Sequence, residues 1–233
     1  MKRTYLLLII FSFLLSLTAC QPNGVRKFNI ASWETKLQLA DSAFQEKRWS
    51  DANRYYNEAL DLIDNDYSSR TIYDSKIREI HRKASYSLML ASEDNISVRS
   101  LYNCSTLMRS GVRGTSFDTH LLPVQFGFNR ADFTTNGEIA AETIAQCLNQ
   151  TFRGAKYITL VGHTDETGPR DYNRTLSLKR AKTLKKFLRR EGINIELDVE
   201  GKGEDEPLYI DSSENYTQSE IDALNRRVEV IIQ

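Results

Sequence analysis

Hydrophobic and polar positions divide the 233-residue chain into stretches of different period. Lys2 and Arg3 precede an apolar run from Tyr5 to Leu15, interrupted only by Ser12, that closes on Leu17-Thr18-Ala19-Cys20. A charged segment, an apolar segment and a small residue form the layout of an export signal. A membrane-spanning helix would need roughly 20 apolar residues, more than Leu6 to Ala19 supplies. Residues 21–30 contain Pro22, Asn23 and Gly24 and read as a short tether. From Trp33 to about Ile63 the period becomes helical. Leu39, Ala40, Ala43 and Phe44 form one apolar face, and Ala52, Tyr55, Tyr56, Ala59, Leu60 and Ile63 form another after a break at Lys47-Arg48-Trp49. Alanines at 40, 52 and 59 allow two antiparallel helices to approach closely, with Phe44 and Tyr56 filling the gap. Ile77, Ile80, Ala84 and Leu88 predict a third helix over about 72–90, which the pair needs to bury its face. Between Ser92 and Ser116 the pattern weakens, Gly111 and Gly114 mark turns, and the stretch reads as a connector.

The C-terminal half alternates strands with helices. A strand is expected over 121–128, with Val124, Phe126 and Phe128 on one face. Thr134 opens a helix whose buried stripe is Ile139, Ala140, Thr143, Ile144, Cys147 and Leu148. A second strand covers 157–161. After a turn region at 165–175, a helix runs to about Arg190 on a core face of Leu176, Ala181, Leu184 and Leu188, and stops at Glu191-Gly192. A third strand covers 195–199, Gly201 and Gly203 begin a loop, and Arg227 to Ile232 form the last strand. The fold class is α/β: a βαβαβ unit with a closing β, making a mixed sheet with helices packed on one face, preceded by a small all-α region. Each helix lets its two flanking strands run parallel.

Chemistry concentrates in residues 161–180, VGHTDETGPRDYNRTLSLKR. Asp165 and Arg180 stand on either side of the Gly168-Pro169 turn, and a carboxylate held near a guanidinium suits a ligand carrying both an ammonium and a carboxylate. Taken singly, Asp165 could cap its own loop, Arg180 could belong to a solvated helix face, Asn173 could be a cap and Arg227 a salt-bridged sheet residue. The balance of 31 basic and 31 acidic residues gives no argument for nucleic acid as a partner. His81, His120 and His163 are scattered, so neither a metal nor another cofactor is expected. No serine has a Gly-x-Ser-x-Gly setting, and Glu204, Asp205 and Glu206 look like solvated loop charges, so the chain is not expected to be an enzyme. Cys104 and Cys147 suit a disulfide in an exported protein, with two separate buried thiols as the alternative. Seven basic residues lie between Lys179 and Arg190. That helix face is solvated by default, or else a salt-sensitive attractor for wall polymers or anionic lipid head groups.

Several blocks stand together in a fixed order: Gly162-His163-Thr164-Asp165, Gly168, Tyr172-Asn173, Leu176-Ser177 and Arg180-Ala181. They are followed by Gly201-Lys202-Gly203-Glu204 with Pro207, then Asn225-Arg226-Arg227-Val228-Glu229-Val230, and preceded by Phe126-Gly127-Phe128-Asn129 with Ala131-Asp132-Phe133. Over about 120–232 this resembles the OmpA-like, or peptidoglycan-associated, domain family. The resemblance implies non-covalent binding of peptidoglycan through the diaminopimelate of its stem peptide. Asp165 would then receive the ammonium and Arg180 the carboxylate. Asn173 and backbone amides around Thr167 and Gly168 would add contacts, Arg227 would line the same cleft, and Thr164 and Leu176 would shape its wall. Leu17-Thr18-Ala19-Cys20 resembles the bacterial lipoprotein signal, which implies a lipid on Cys20, and Gln21 in place of an aspartate resembles outer-membrane sorting. The 33–63 helix pair resembles one tetratricopeptide repeat. The expected organisation is a lipoprotein signal peptide at 1–19, a lipidated N-terminus and tether at 20–30, a tetratricopeptide-like helical region at 31–92, a connector at 93–118 and an OmpA-like peptidoglycan-binding domain at 119–233. The expected function is that of a lipoprotein anchored in the outer membrane, globular part in the periplasm, linking membrane to wall. The alternative is an envelope scaffold or assembly protein whose residues 31–92 recruit a protein partner.

Overall fold

A computed structural model describes residues 32–65, 74–91, 101–104, 119–151, 157–210 and 213–232, and from Ala31 onward the chain is one compact unit. The expected signal peptide, Cys20, the tether and most of the 93–118 connector lie outside the described residues. Helix α1 (Trp33–Gln45) starts where the Ser32 hydroxyl accepts the Thr35 amide at 3.3 Å. Lys47, with φ 57°, turns the chain into α2 (Trp49–Asn65). Ala40 and Ala43 face Ala52 across the pair with no exposed surface, and Phe44 and Tyr56 fill the remaining space at 6.2 Å between ring centroids. Helix α3 (Asp74–Leu90) closes this layer with Ile80 and Ala84, and the buried Asn53 amide donates to the Ala84 carbonyl at 2.8 Å.

The second layer is a four-stranded sheet made of β1 (Thr119–Gln125), β2 (Tyr157–His163), β3 (Glu196–Gly203) and β4 (Arg227–Ile232). Between the strands lie α4 (Thr135–Gln150), α5 (Arg170–Arg190) and the short α6 (Gln218–Asn225). The sheet order is β1-β4-β2-β3. β2 and β3 pair in parallel, and β4 runs antiparallel to both β1 and β2. The strands flanking α4 and those flanking α5 therefore run in the same direction, as expected, whereas β3 and β4 around α6 run in opposite directions, and β1 and β2 are not neighbours because the last strand inserts between them. Alternation places Val228, Val230 and Ile232 with Ile158, Leu160 and Leu197 in the core, against Ile144 and Leu148 of α4 and Ala181, Leu184 and Leu188 of α5. Arg227 and Glu229 face the other way.

Glycines set how closely α5 can lie on the sheet. A Cβ on Gly162 would sit 2.0 Å from the Ser177 carbonyl oxygen, and one on Gly201 2.7 Å from the Leu178 amide. Gly201 and Gly203, expected in a loop, instead belong to β3, which continues through both. Their lack of side chains serves helix packing, and only the far end of the strand bends, at Gly203 with φ 60°. Helix α6 also departs from expectation; Thr217 and Glu220 build a reciprocal capping box at its start.

The two layers share side chains. Trp49 and Tyr216 touch both cores and stack with ring centroids 6.1 Å apart, and Phe44 meets Tyr216 edge-on at 5.5 Å. Lys47 reaches Glu220 at 2.7 Å, and the Tyr86 hydroxyl donates to the Tyr209 carbonyl at 2.8 Å. Leu88 and Met89 from the end of α3 enter the α/β core, and the Asn136 amide donates to the Ala91 carbonyl at 2.9 Å. Cys104 is bonded to Cys147 of α4 with a Cα–Cα distance of 5.4 Å, closing a loop across a sequence separation of 43. Among the described residues no helix is long and apolar enough to cross a membrane.

Candidate binding cleft

The end of β2 and the start of α5 form the walls of a small cleft of about 240 Å³, its solvent-facing mouth included. Its lining includes Thr164, Asp165, Thr167, Asn173, Leu176 and Arg180 from the expected set, together with Phe128, Asn129 and Tyr172. The loop between β2 and α5 is shaped by Gly168, at φ 106°, a conformation that L side chains rarely adopt.

Arg180 is the largest fully buried side chain among the described residues, 1% exposed, rather than a member of the solvated face of α5. Its guanidinium donates to three carbonyls: Nε to Arg130 at 2.9 Å, Nη1 to His163 at 2.8 Å and Nη2 to Gly127 at 3.0 Å. Two of its five N–H groups are left over. No carboxylate among the described residues lies within ion-pair reach of it. Burial pushes its pKa down to about 10, partly offset by the charge of Asp165, so it remains a cation at neutral pH.

Asp165 is 5% exposed. One carboxylate oxygen accepts the Thr167 amide at 3.0 Å, and the other accepts Arg226 Nη1 at 3.0 Å. Asn173 donates from one amide nitrogen to the Asp165 carbonyl at 3.4 Å and to the Glu204 carboxylate. Glu204 is therefore a cleft neighbour and not a solvated loop charge. Its companions are engaged as well, Asp205 with Arg170 at 2.8 Å and Glu206 with Lys202 at 3.5 Å. The Thr164 hydroxyl is buried in the cleft wall without a protein partner. At the rim, Phe128 is 59% and Tyr172 47% exposed, and the Tyr172 hydroxyl donates to Asn129.

The expected role of Arg227 in the cleft is replaced. Its guanidinium lies on the opposite face of β4, binding Glu229, Asn225 and the Glu206 carbonyl. The preceding residue, Arg226, is the one that meets Asp165, and its guanidinium also lies 5.9 Å from the Phe128 ring centroid. Alternation was the available signal: Val228 faces the core, so Arg227 and Glu229 share the other side. His163 ends β2 with its ring buried, 3.7 Å from Glu229, and burial lowers its pKa to about 4. It contributes its carbonyl to Arg180, not its ring to the cleft.

Residues 125–220 match the OmpA family, and the mixed sheet with helices on one face matches an OmpA-like topology. The chain is 30% identical over 115 residues to outer membrane protein A of Escherichia fergusonii, covering 47% of each chain. It is 32% identical over 120 residues to the photosystem I P700 chlorophyll a apoprotein A2 of Gloeobacter violaceus, covering 48% of this chain and 13% of that protein. Among solved structures, the peptidoglycan-associated lipoprotein from Burkholderia pseudomallei is 24% identical, with a TM-score of 0.40 over 48% of this chain and 89% of that one. The chain thus spans less than half the length of these curated relatives.

Proposed function

We propose that the chain is an envelope protein that binds peptidoglycan non-covalently, with the cleft receiving the zwitterionic end of the stem peptide's diaminopimelate. The observation that carries this reading is Arg180: an interior cation with two N–H groups unspent and no carboxylate partner among the described residues, in a cleft that also holds a buried carboxylate. A ligand carboxylate completes the guanidinium as a two-pronged acceptor. The ligand ammonium goes to Asp165, which it shares with or takes from Arg226; the Thr164 hydroxyl can hydrogen-bond either group, while Asn173, its amide hydrogens spent on Asp165 and Glu204, offers its carbonyl oxygen to the ammonium. The match of residues 125–220 to the OmpA family supports the same assignment.

On this reading residues 1–19 are a lipoprotein signal, lipid on Cys20 fixes the chain in the outer membrane, and 119–233 hold the wall from the periplasm. Residues 31–92, with their tetratricopeptide-like pair, act as a rigid spacer. The shared Trp49, Tyr216 and Lys47–Glu220 contacts favour a spacer over a free recruiting arm.

Asp165→Ala tests the site. The variant should keep its circular dichroism spectrum and a cooperative thermal transition, lowered by loss of the Arg226 pair, yet fail to sediment with purified sacculi at a temperature well below that transition, and unchanged sedimentation would overturn the assignment. Arg180→Ala is a weaker probe, because it strips three carbonyls of their donor and so endangers the fold itself.

A further inference from the structure

The exposed face of α5 carries a charge arrangement for which the fold has no use. From Tyr172 to Arg190 the helix contains no Asp or Glu, although the whole chain balances 31 cations with 31 anions. Several cations there have structural work: Arg180 is buried on its carbonyls, Lys185 donates to the Leu197 carbonyl at 2.6 Å, and Arg189 donates to the carbonyls of Ile193 and Ile195 at 2.6 and 2.7 Å. Lys179, Lys182 and Lys186 have none. All three are exposed, and among the described residues they make no ion pair or hydrogen bond.

Helix stability argues against such a stripe. Lys179–Lys182 and Lys182–Lys186 are like-charge neighbours three and four apart, which repel. The helix dipole favours cations only in the last turn, beyond Lys179 and Lys182. Elsewhere the chain does the opposite: in α2, Arg54 pairs with Asp51 at 3.0 Å and with Glu58 at 3.2 Å, and Arg48 pairs with Asp51. The stripe is also aligned with the cleft. Positions 172, 179 and 186 recur every seven residues, so Lys179 and Lys186 follow in line from Tyr172, a cleft residue. From Tyr172 to Arg190 the path is about 27 Å long at the helical rise.

We propose that this face of α5 is a second contact surface, on which an anionic polymer lies along the helix while one of its units occupies the cleft. This rests on the wall-binding reading above and extends it from one residue of the stem to the carboxylate-bearing polymer around it. Charge complementarity and continuity with the cleft favour the polymer over a lipid surface, which would have no reason to start at Tyr172.

The test uses the full chain and a Lys179→Gln, Lys182→Gln, Lys186→Gln variant, in which the exposed changes keep good helix formers. Three probes are needed: a soluble diaminopimelate-containing stem peptide, purified sacculi, and vesicles with anionic lipid. The expected result is unchanged binding of the stem peptide, with about fivefold weaker binding of sacculi at about 0.05 M salt and no difference at about 0.5 M. Equal binding of sacculi by parent and variant at low salt would overturn the surface. So would a loss confined to the vesicles, which would make the occupant a membrane. If the parent ignores the stem peptide while the variant still loses salt-sensitive binding to sacculi, the cleft reading fails and the helix surface stands.

Discussion

Asp165 and Arg226, 61 residues apart in sequence, meet at 3.0 Å beneath the cleft, where their side chains are 6% and 16% exposed. The cleft therefore holds its carboxylate already paired, and any ligand cation arrives as a second partner or a replacement. Arg226→Gln should cost about 1.5–3 kcal/mol, the usual scale for a hydrogen bond to a charged group with little solvent around it. Urea titration of parent and variant reads this directly. A difference under half a kcal/mol would show the pair to be incidental.

Gly162→Ala should separate α5 from β2. The new methyl would lie 2.0 Å from the Ser177 carbonyl oxygen, a backbone atom that cannot turn aside. Overpacking of this kind costs about 1–3 kcal/mol. The helix carries Asn173 and Arg180, so ligand binding should weaken along with the thermal transition, and calorimetry with a stem-peptide titration checks both.

The Cys104–Cys147 bond restrains a long segment that includes β1 and most of α4. Loop-closure entropy puts its contribution at about 4 kcal/mol, reduced by whatever contacts persist in the unfolded chain once the bond is broken. Reductant should lower the thermal midpoint of the parent by roughly ten degrees and leave a Cys104→Ser, Cys147→Ser variant unmoved.

His163 makes stability pH-dependent. Its folded pKa, about 4, lies below its ordinary value of 6.5, mainly through burial. A group of this kind binds more protons when unfolded between those two values, so stability rises with pH across the window and falls as pH drops from 6.5 toward 4. The full effect is on the order of 3 kcal/mol. His163→Gln should flatten this part of the profile, seen as a smaller shift in urea midpoint between pH 7 and pH 4.

Much of the fold was legible in the sequence, for reasons that differ between elements. Helices α1, α2, α4 and α5 each bury a stripe that local periodicity reveals, and Asp165, Thr164, Asn173, Leu176 and Arg180 fall on one short segment whose ends the β2–α5 turn must bring together. The insertion of β4 between β1 and β2 was not legible, because pairing partners distant in sequence leave no periodic trace. Gly201 and Gly203 mislead for a related reason: a glycine demanded by a helix lying overhead looks, in one dimension, like a glycine demanded by a turn. Arg226 and Arg227 differ by a single step. Their assignment turned on strand parity, which only the burial of Val228 and Val230 fixes.

Helix α6 is only eight residues long, about 12 Å. Its first turn is clamped to the helical layer through Glu220 and Lys47, and the residue that caps its other end is Arg226. Mechanically it is a strut between the hairpin and the floor of the cleft. Glu220 and Arg226 sit at opposite ends of this one short segment, so the ion pair with Lys47 and the ion pair with Asp165 are joined through a single helix.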